Sequence, residues 1–285
     1  MSIQSIDRVN QILSLFSLER PRWGITEMAG SLGLAKTTVS SLVRTLAEIG
    51  FLDQDPETRR YTLGPKLFAL GVIAGDTYEL NQKAERPARD LAEKTGLICR
   101  VAVWDQDATL QTLDIIPRDV DFLARRVGPR VAAYGSSLGR AILAYLDPEE
   151  LKAYLDKTDM IPFTRYTITR RDQLVKELNE TRKRGYAIND QGVILGRASI
   201  AAPIFGRNRK VIASISLVGS PQKVLGADLD HFARQLQNTA MDISRLMGFI
   251  PAFDSQSTAP KRTATPKGKK DPTATKTRRA ATRRG

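Results

Sequence analysis

The sequence predicts an α+β chain: a small helical domain with a strand hairpin, followed by a larger domain built on an antiparallel sheet. Three observations carry this. Apolar residues recur at helical spacing on both sides of Gly33. Two strand-rich pairs, 97–105 with 108–116 and 198–205 with 211–218, are flanked by helical patterns. A length of 285 residues is enough for more than one core.

From the N-terminus, Ile6, Val9, Ile12, Leu13 and Phe16 share one helical face and make a first helix that closes a small core. A second helix begins near Thr26, with Ile25, Met28, Ala29 and Leu32 on its apolar side. Gly33 supplies a sharp turn, because it tolerates backbone angles that a side chain resists. From about Lys36 a third helix carries Val39, Leu42, Val43, Leu46 and Ile49 as one apolar stripe, and Gly50 stops it.

The outer face of that third helix offers Lys36, Thr37, Thr38, Ser40, Ser41 and Arg44. Small hydroxyls approach phosphates and base edges closely, and Lys and Arg supply charge and bidentate donors. Two short helices at a tight turn, the second with a polar outer face, form a helix-turn-helix pattern whose expected partner is double-stranded DNA. A plain helical hairpin with a solvated outer face has the same periodicity. The next segment favours the DNA-binding reading: 51–52 and 61–63 read as two short strands around a turn with Asp55 and Pro56. Arg59 and Arg60 then stand at the tip or returning edge of a wing that reaches backbone or minor groove.

Gly64 and Pro65 can start a linker helix, expected from about Pro65 to Asn81, with Leu67, Leu70 and Ile73 on its apolar side. Pro87 is expected near the start of a further helix that ends before Gly96. After the first strand pair come helical segments at 138–145, 148–157 and 170–183; after the second comes a closing helix over 225–246.

The net charge is +13, of which residues 261–285 supply +9. That basic, Lys/Arg/Thr/Pro-rich tail has no apolar periodicity and is expected to be disordered, adding salt-dependent phosphate contacts without choosing sequence. Residues 1–77 hold eight basic and eight acidic side chains, so DNA binding there depends on where charge is placed. A single cysteine, Cys99, excludes an internal disulfide framework and fits a reducing compartment. No secretory signal and no membrane-spanning apolar run are legible, so a cytoplasmic protein, nucleoid-associated when bound to DNA, is expected. No metal-ligand spacing or phosphate loop occurs, and neither His231 nor Cys99 has a catalytic neighbour in sequence, so no enzyme activity, metal or cofactor is expected.

With SIDRVNQILSLF, ITEMAGSLGLAKTTVSSLVRTLAEIGFL and RRYTLGPKLFALG in this order, then GSSLGRAILAYL, TRKRGYAIND and SIAAPIF, the chain resembles the IclR family of bacterial transcriptional regulators over roughly residues 2–248. The resemblance implies a winged helix-turn-helix domain (1–64), a linker and dimerisation helix (65–82), a GAF/profilin-like effector domain with an antiparallel sheet (83–250) and a tail (251–285). It also implies a homodimer or tetramer and a small organic effector, a carboxylate or an aromatic acid. Carried over by position, the effector residues are Tyr134, Ser136, Asn189, Ser199 and Ser216. This chain departs from the family pattern at several points: Tyr134 stands for a histidine, Ala132 for a proline, Gln191 for an acid, Ser199 for a cysteine and Ser41 for an arginine. The expected function is a ligand-responsive regulator, a repressor of a metabolic or catabolic operon; the alternative is an architectural DNA-binding protein driven by its basic tail.

Overall fold

The computed structural model describes residues 3–105, 107–118 and 130–251, so the basic tail lies outside the described residues apart from Pro251. The N-terminal domain contains α1 (Gln4–Leu13), α2 (Ile25–Leu32), α3 (Lys36–Glu48), β1 (Leu52–Gln54) and β2 (Tyr61–Leu63). Ile12, Met28, Val39 and Val43 are fully buried at its centre, with Trp23, Leu46, Leu52 and Tyr61 packed around them. Gly33 caps α2 in the left-handed region at φ 64°, which lets α3 start three residues later. The hairpin pairs Leu52 with Leu63 and Gln54 with Tyr61, and Trp23 exchanges two backbone hydrogen bonds with Tyr61 along its edge.

Some expected core positions are not core. Ile6 is 61% exposed and Ile49 44% exposed. Only the last turn of α1 reaches the cluster, through Val9, Ile12 and Leu13, and Ile49 falls just past the end of α3, where the stripe has already turned away. Phe16 packs against the core from beyond the end of α1.

The connection also differs from expectation. A helix α4 (Pro65–Thr77) ends at Tyr78, whose φ −72° and ψ 113° are extended, and α5 (Glu79–Thr95) begins at once and runs through Pro87. Proline forfeits one helical hydrogen bond, but here Leu80, Ala84, Ala88, Leu91 and Ala92 bury one continuous stripe that holds the helix across it. By contrast, α4 buries none of its residues.

The C-terminal domain continues with β3 (Ile98–Asp105), β4 (Ala108–Ile115), β5 (Arg130–Ala132), α6 (Ser137–Leu143), α7 (Pro148–Lys157), α8 (Arg171–Arg184), β6 (Ala187–Asp190), β7 (Ala198–Phe205), β8 (Val211–Gly219), α9 (Pro221–Val224) and α10 (Leu229–Leu246). The strands form one sheet in the order β5-β4-β3-β8-β7-β6, antiparallel at every pairing. Two strands, β5 and β6, went unforeseen: each is short and lies at an edge of the sheet. The expected closing helix begins four residues later than expected, at Leu229, and is preceded by a separate turn, α9, that Ser220 caps.

The sheet's two faces are unlike, as alternation along a strand allows. One carries Cys99, Val101, Ile200, Ile204, Ile215 and Leu217 and is covered by the apolar sides of α5 and α10. The other is paved with Ala102, Ala187 and Ala201, against which Leu138 and Ala141 of α6 pack. The fit around α6 is close: a Cβ on Gly139 would lie 2.2 Å from the Ala133 carbonyl oxygen. Beside the start of α6 this pavement gives way to polar residues. Among the described residues, no helix is long and apolar enough to cross a membrane.

Candidate functional site

Two regions gather the expected site residues. In the first, α3 buries Val39, Val43 and Leu46 and turns Lys36, Thr37, Ser41 and Arg44 outward; Thr38 and Ser40 lie half-buried on its flanks. Thr45 shares the outer face, and its hydroxyl donates to the Ser41 carbonyl at 3.1 Å. Ala35, at the cap position, makes no side-chain bond to the first turn of α3, so that turn's N–H groups are left for an outside acceptor.

The wing places its two arginines differently. Asp55 accepts from the N–H groups of Glu57 and Thr58, both at 2.9 Å, and so closes the turn. Arg59 is exposed and held at φ 56°, a left-handed conformation unusual for a side chain with a Cβ. Arg60 faces the domain instead: its guanidinium donates to Glu27 at 2.9 Å and to the Arg22 carbonyl. Glu27 also takes Arg20 at 3.1 Å and the Gly24 N–H at 2.9 Å, so one carboxylate fastens the loop before α2 to the wing. The Gly24 N–H, followed by Arg60 and Arg20, holds that carboxyl below its usual value despite some desolvation.

The second region is a cavity of about 60 Å³ on the alanine-paved face, beside the start of α6. Ser136, Asn189, Ser199 and Ser216 all line it. Their meeting follows from register: Arg100 of β3 pairs with Ser216 of β8, and Ser199 of β7 pairs with Asn189 of β6, so these side chains share a face on adjacent strands. Ile98, Leu138 and Val218 supply apolar wall.

Each polar group has a distinct state. Ser136 caps α6 by accepting from the Gly139 N–H at 3.0 Å, and the Ser137 and Ser199 hydroxyls share a hydrogen bond of 2.7 Å. Ser216 is 1% exposed and its hydroxyl has no partner. Two arginines that the sequence pattern did not single out also line the cavity. Arg100 is paired with Asp114 at 3.1 Å, whereas the side chain of Arg197 has no hydrogen-bond or ion-pair partner among the described residues. Alternation in the strand could have flagged Arg100, a cation in an otherwise apolar run; Arg197, in a loop, carried no such signal.

Tyr134 is the exception among the expected effector residues. Its ring stacks on Phe163 at 5.8 Å and its hydroxyl donates to the Ile161 carbonyl at 2.7 Å, so it anchors the 158–170 loop and does not line the cavity. Gln191, in place of an acid, accepts from the Gly196 N–H at 2.9 Å and shapes the loop that carries Arg197.

A buried guanidinium holds the cavity's rim. Arg140 of α6 donates to the carbonyls of Tyr134, Gly135 and Ile188 and to Asn189 Oδ1, at 2.7–3.3 Å. Burial pulls Arg140 down to about 10, against the opposing pull of Glu177. With its oxygen taken by Arg140, Asn189 is left with its amide N–H groups for the cavity. Thr164 and Thr167 donate to the carbonyls of Gln191 and Gly192, at 2.7 and 2.6 Å, and tie the 158–170 loop to the same rim.

Elsewhere, Cys99 is fully buried on the opposite sheet face, and burial, with a smaller contribution from Asp114, pushes its thiol up to about 12. His231 is exposed on α10 beside Phe232. Among the described residues, no group of three or more His, Cys, Asp or Glu could hold a metal ion.

Comparison with known proteins finds matches over both parts of the chain. Residues 5–56 match the IclR helix-turn-helix domain, and residues 74–245 match the C-terminal domain of the bacterial transcriptional regulator IclR. The chain is 31% identical over 247 residues to the HTH-type transcriptional regulator XynR of Escherichia coli K12, covering 87% of this chain and 98% of that one. An IclR transcriptional regulator from Alicyclobacillus acidocaldarius superposes with a TM-score of 0.77 at 28% identity, covering 87% of this chain and all of the other. An IclR homologue from Microbacterium hydrocarbonoxydans, solved with 4-hydroxybenzoate, shares the fold with a TM-score of 0.69 at 23% identity over 85% of this chain and 98% of its own.

Proposed function

The chain belongs to the IclR family of bacterial transcriptional regulators, and from that premise we propose that it binds a pseudo-palindromic operator as a homodimer, represses a metabolic or catabolic operon and responds to a small organic effector. The observation that carries the DNA-binding part is the division of α3: Val39, Val43 and Leu46 are committed to the core, leaving Thr37, Ser41 and Arg44 free on a continuous outer face. A helix so mounted enters a major groove, with Arg59 of the wing reaching flanking backbone. Such a protein works in the cytoplasm, on the nucleoid. Selection of bound sequences from random duplexes, with full-length protein and with protein ending at residue 250, tests this. A shared two-fold motif from both is expected; sequence-blind recovery from both contradicts it.

The dimer is supported by apolar surface that this chain leaves uncovered. Phe68 of α4 is 77% exposed, Leu70, Val72 and Ile73 of the same helix are at least 45% exposed, and Ile3 and Ile6 near α1 exceed 60%. So much exposed apolar surface around one helix favours a partner, and a second copy supplies the two-fold axis that a palindrome mirrors.

The effector part rests on the polar cavity and on a physical link from it to α4. Val101 pairs with Leu113 and Ala102 with Gln111, so Thr112 is the extra residue of a bulge in β4. Its carbonyl, free of the ladder, accepts from the Asn81 amide at 3.3 Å, and the same amide donates to Gly75 of α4 at 3.0 Å. Gln111, adjacent to the bulge, lines the cavity. A ligand that prefers one setting of the bulge thereby changes how α4 is held, which is the unequal affinity that allosteric control requires. A relative of the same fold is solved with 4-hydroxybenzoate, which supports reading the cavity as a place for a small acid here.

A further inference from the structure

The cavity's chemistry defines its ligand more narrowly than a generic small organic acid. Its charge comes first. Arg100 and Arg197 are the charged residues among those described as lining it, and Arg100 is already balanced by Asp114. Among the lining residues, one positive charge is therefore left over, on Arg197. A ligand carrying one carboxylate neutralises it with charge-assisted, bidentate hydrogen bonds; a second carboxylate would be buried without a counter-charge.

The floor specifies the remainder. The Ser216 hydroxyl is buried and unpartnered, which costs free energy unless something in the cavity bonds it. The Asn189 amide nitrogen, with its oxygen fixed by Arg140, offers donors beside Ser199 on the same face. A hydroxyl on the ligand satisfies Ser216 either as donor or as acceptor and can accept from Asn189; an aliphatic or aromatic C–H edge satisfies neither. Size is the third constraint. A cavity of about 60 Å³ suits a small ligand.

We infer that the effector of this protein is a short hydroxylated monocarboxylic acid, its carboxylate held by Arg197 and a hydroxyl by Ser216. The inference rests on the regulator reading, of which it specifies the ligand class. It also assigns selectivity to two residues with different duties: Arg197 admits the charge and Ser216 distinguishes a hydroxy acid from its deoxy counterpart.

The test uses the full chain and a panel of probes: glycerate, its deoxy relative propionate, the uncharged glycerol, the dicarboxylate malonate, and 4-hydroxybenzoate. Calorimetric titration is expected to show glycerate binding most tightly, with glycerol and malonate at least about tenfold weaker. Arg197→Ala is expected to lower glycerate affinity at least about tenfold. Ser216→Ala, which removes an unpartnered hydroxyl and leaves the fold intact, is expected to lower glycerate affinity several-fold while leaving propionate unchanged; equal loss for both probes overturns the Ser216 assignment. Preference for malonate or 4-hydroxybenzoate overturns the inference, as does unchanged binding by Arg197→Ala. A silent panel overturns it too. If the same preparation still selects a two-fold DNA motif, the ligand class has failed and the regulator reading stands; if it does not, both have failed.

Discussion

Arg59 and Arg60 are neighbours in sequence with opposite duties. Arg60 and Arg20 share Glu27, whereas Arg59 projects from the wing at φ 56°. Arg59→Gly removes the charge and relieves the left-handed backbone together, so it is expected to weaken DNA binding and reduce its salt dependence while leaving thermal stability unchanged or slightly raised. Titration of operator DNA at two salt concentrations, alongside thermal melting, reads both effects. Glu27 gives a pH signature of definite sign. Its carboxyl is held below the ordinary 4.5 in the folded state, chiefly by the Gly24 N–H, so the stabilisation is fully present above that value and is lost as pH falls through the lower folded pKa. Melting temperatures compared between about pH 6 and about pH 3 should fall more steeply for the natural protein than for Glu27→Gln. Arg140 is a larger case: Arg140→Met strands three carbonyls and the Asn189 oxygen, and is expected to cost about 3 kcal/mol or more in chemical denaturation. A loss under about 1 kcal/mol would show that those groups find other partners.

At the scale of elements, α2 and α3 were legible because each pairs a strong apolar period with a local stop, Gly33 for α2 and Gly50 after α3. The joint between α4 and α5 was not. Proline is usually a boundary signal, but at Pro87 a buried stripe outweighs it, and the real break at Tyr78 is made by a tertiary contact, the Asn81 amide on Gly75 and Thr112. Likewise β5 and β6, each four residues or fewer, carry too little pattern to be seen without the sheet they edge. The proposed effector residues Ser136, Asn189, Ser199 and Ser216 came from family position, and their convergence on the cavity depends on strand register that no local signal encodes. Tyr134 falls outside the cavity's lining, and nothing local says that Phe163 and Ile161 will claim it. The Asn81 joint makes its own prediction. Asn81→Ala should leave the sheet domain folded, because α5 keeps its apolar stripe, while hydrogen exchange over the last turn of α4 accelerates; unchanged exchange there would remove Asn81 from the link between cavity and linker.

For the whole molecule, the proposed dimer joins the exposed apolar residues of α4 to the outward face of α3: a paired helix would set the spacing at which two reading helices meet DNA. Phe68→Asp is expected to shift the sedimenting species toward monomer and to lower operator affinity together, with the fold of each chain preserved. The tail adds charge at its own scale. Nine of the thirteen net positive charges lie in residues 261–285, so protein ending at residue 250 should show a shallower salt slope with its sequence preference intact.

The most direct measurement of the central claim is an equilibrium competition between the selected two-fold site and an unrelated duplex, made with protein ending at residue 250 and with its Ser41→Ala/Arg44→Ala counterpart. The shortened protein should prefer its site by about a thousandfold or more, and the double substitution should erase most of that preference while circular dichroism stays unchanged. Equal affinity for both duplexes, or a preference that survives the loss of both side chains, would contradict reading of DNA by the outer face of α3.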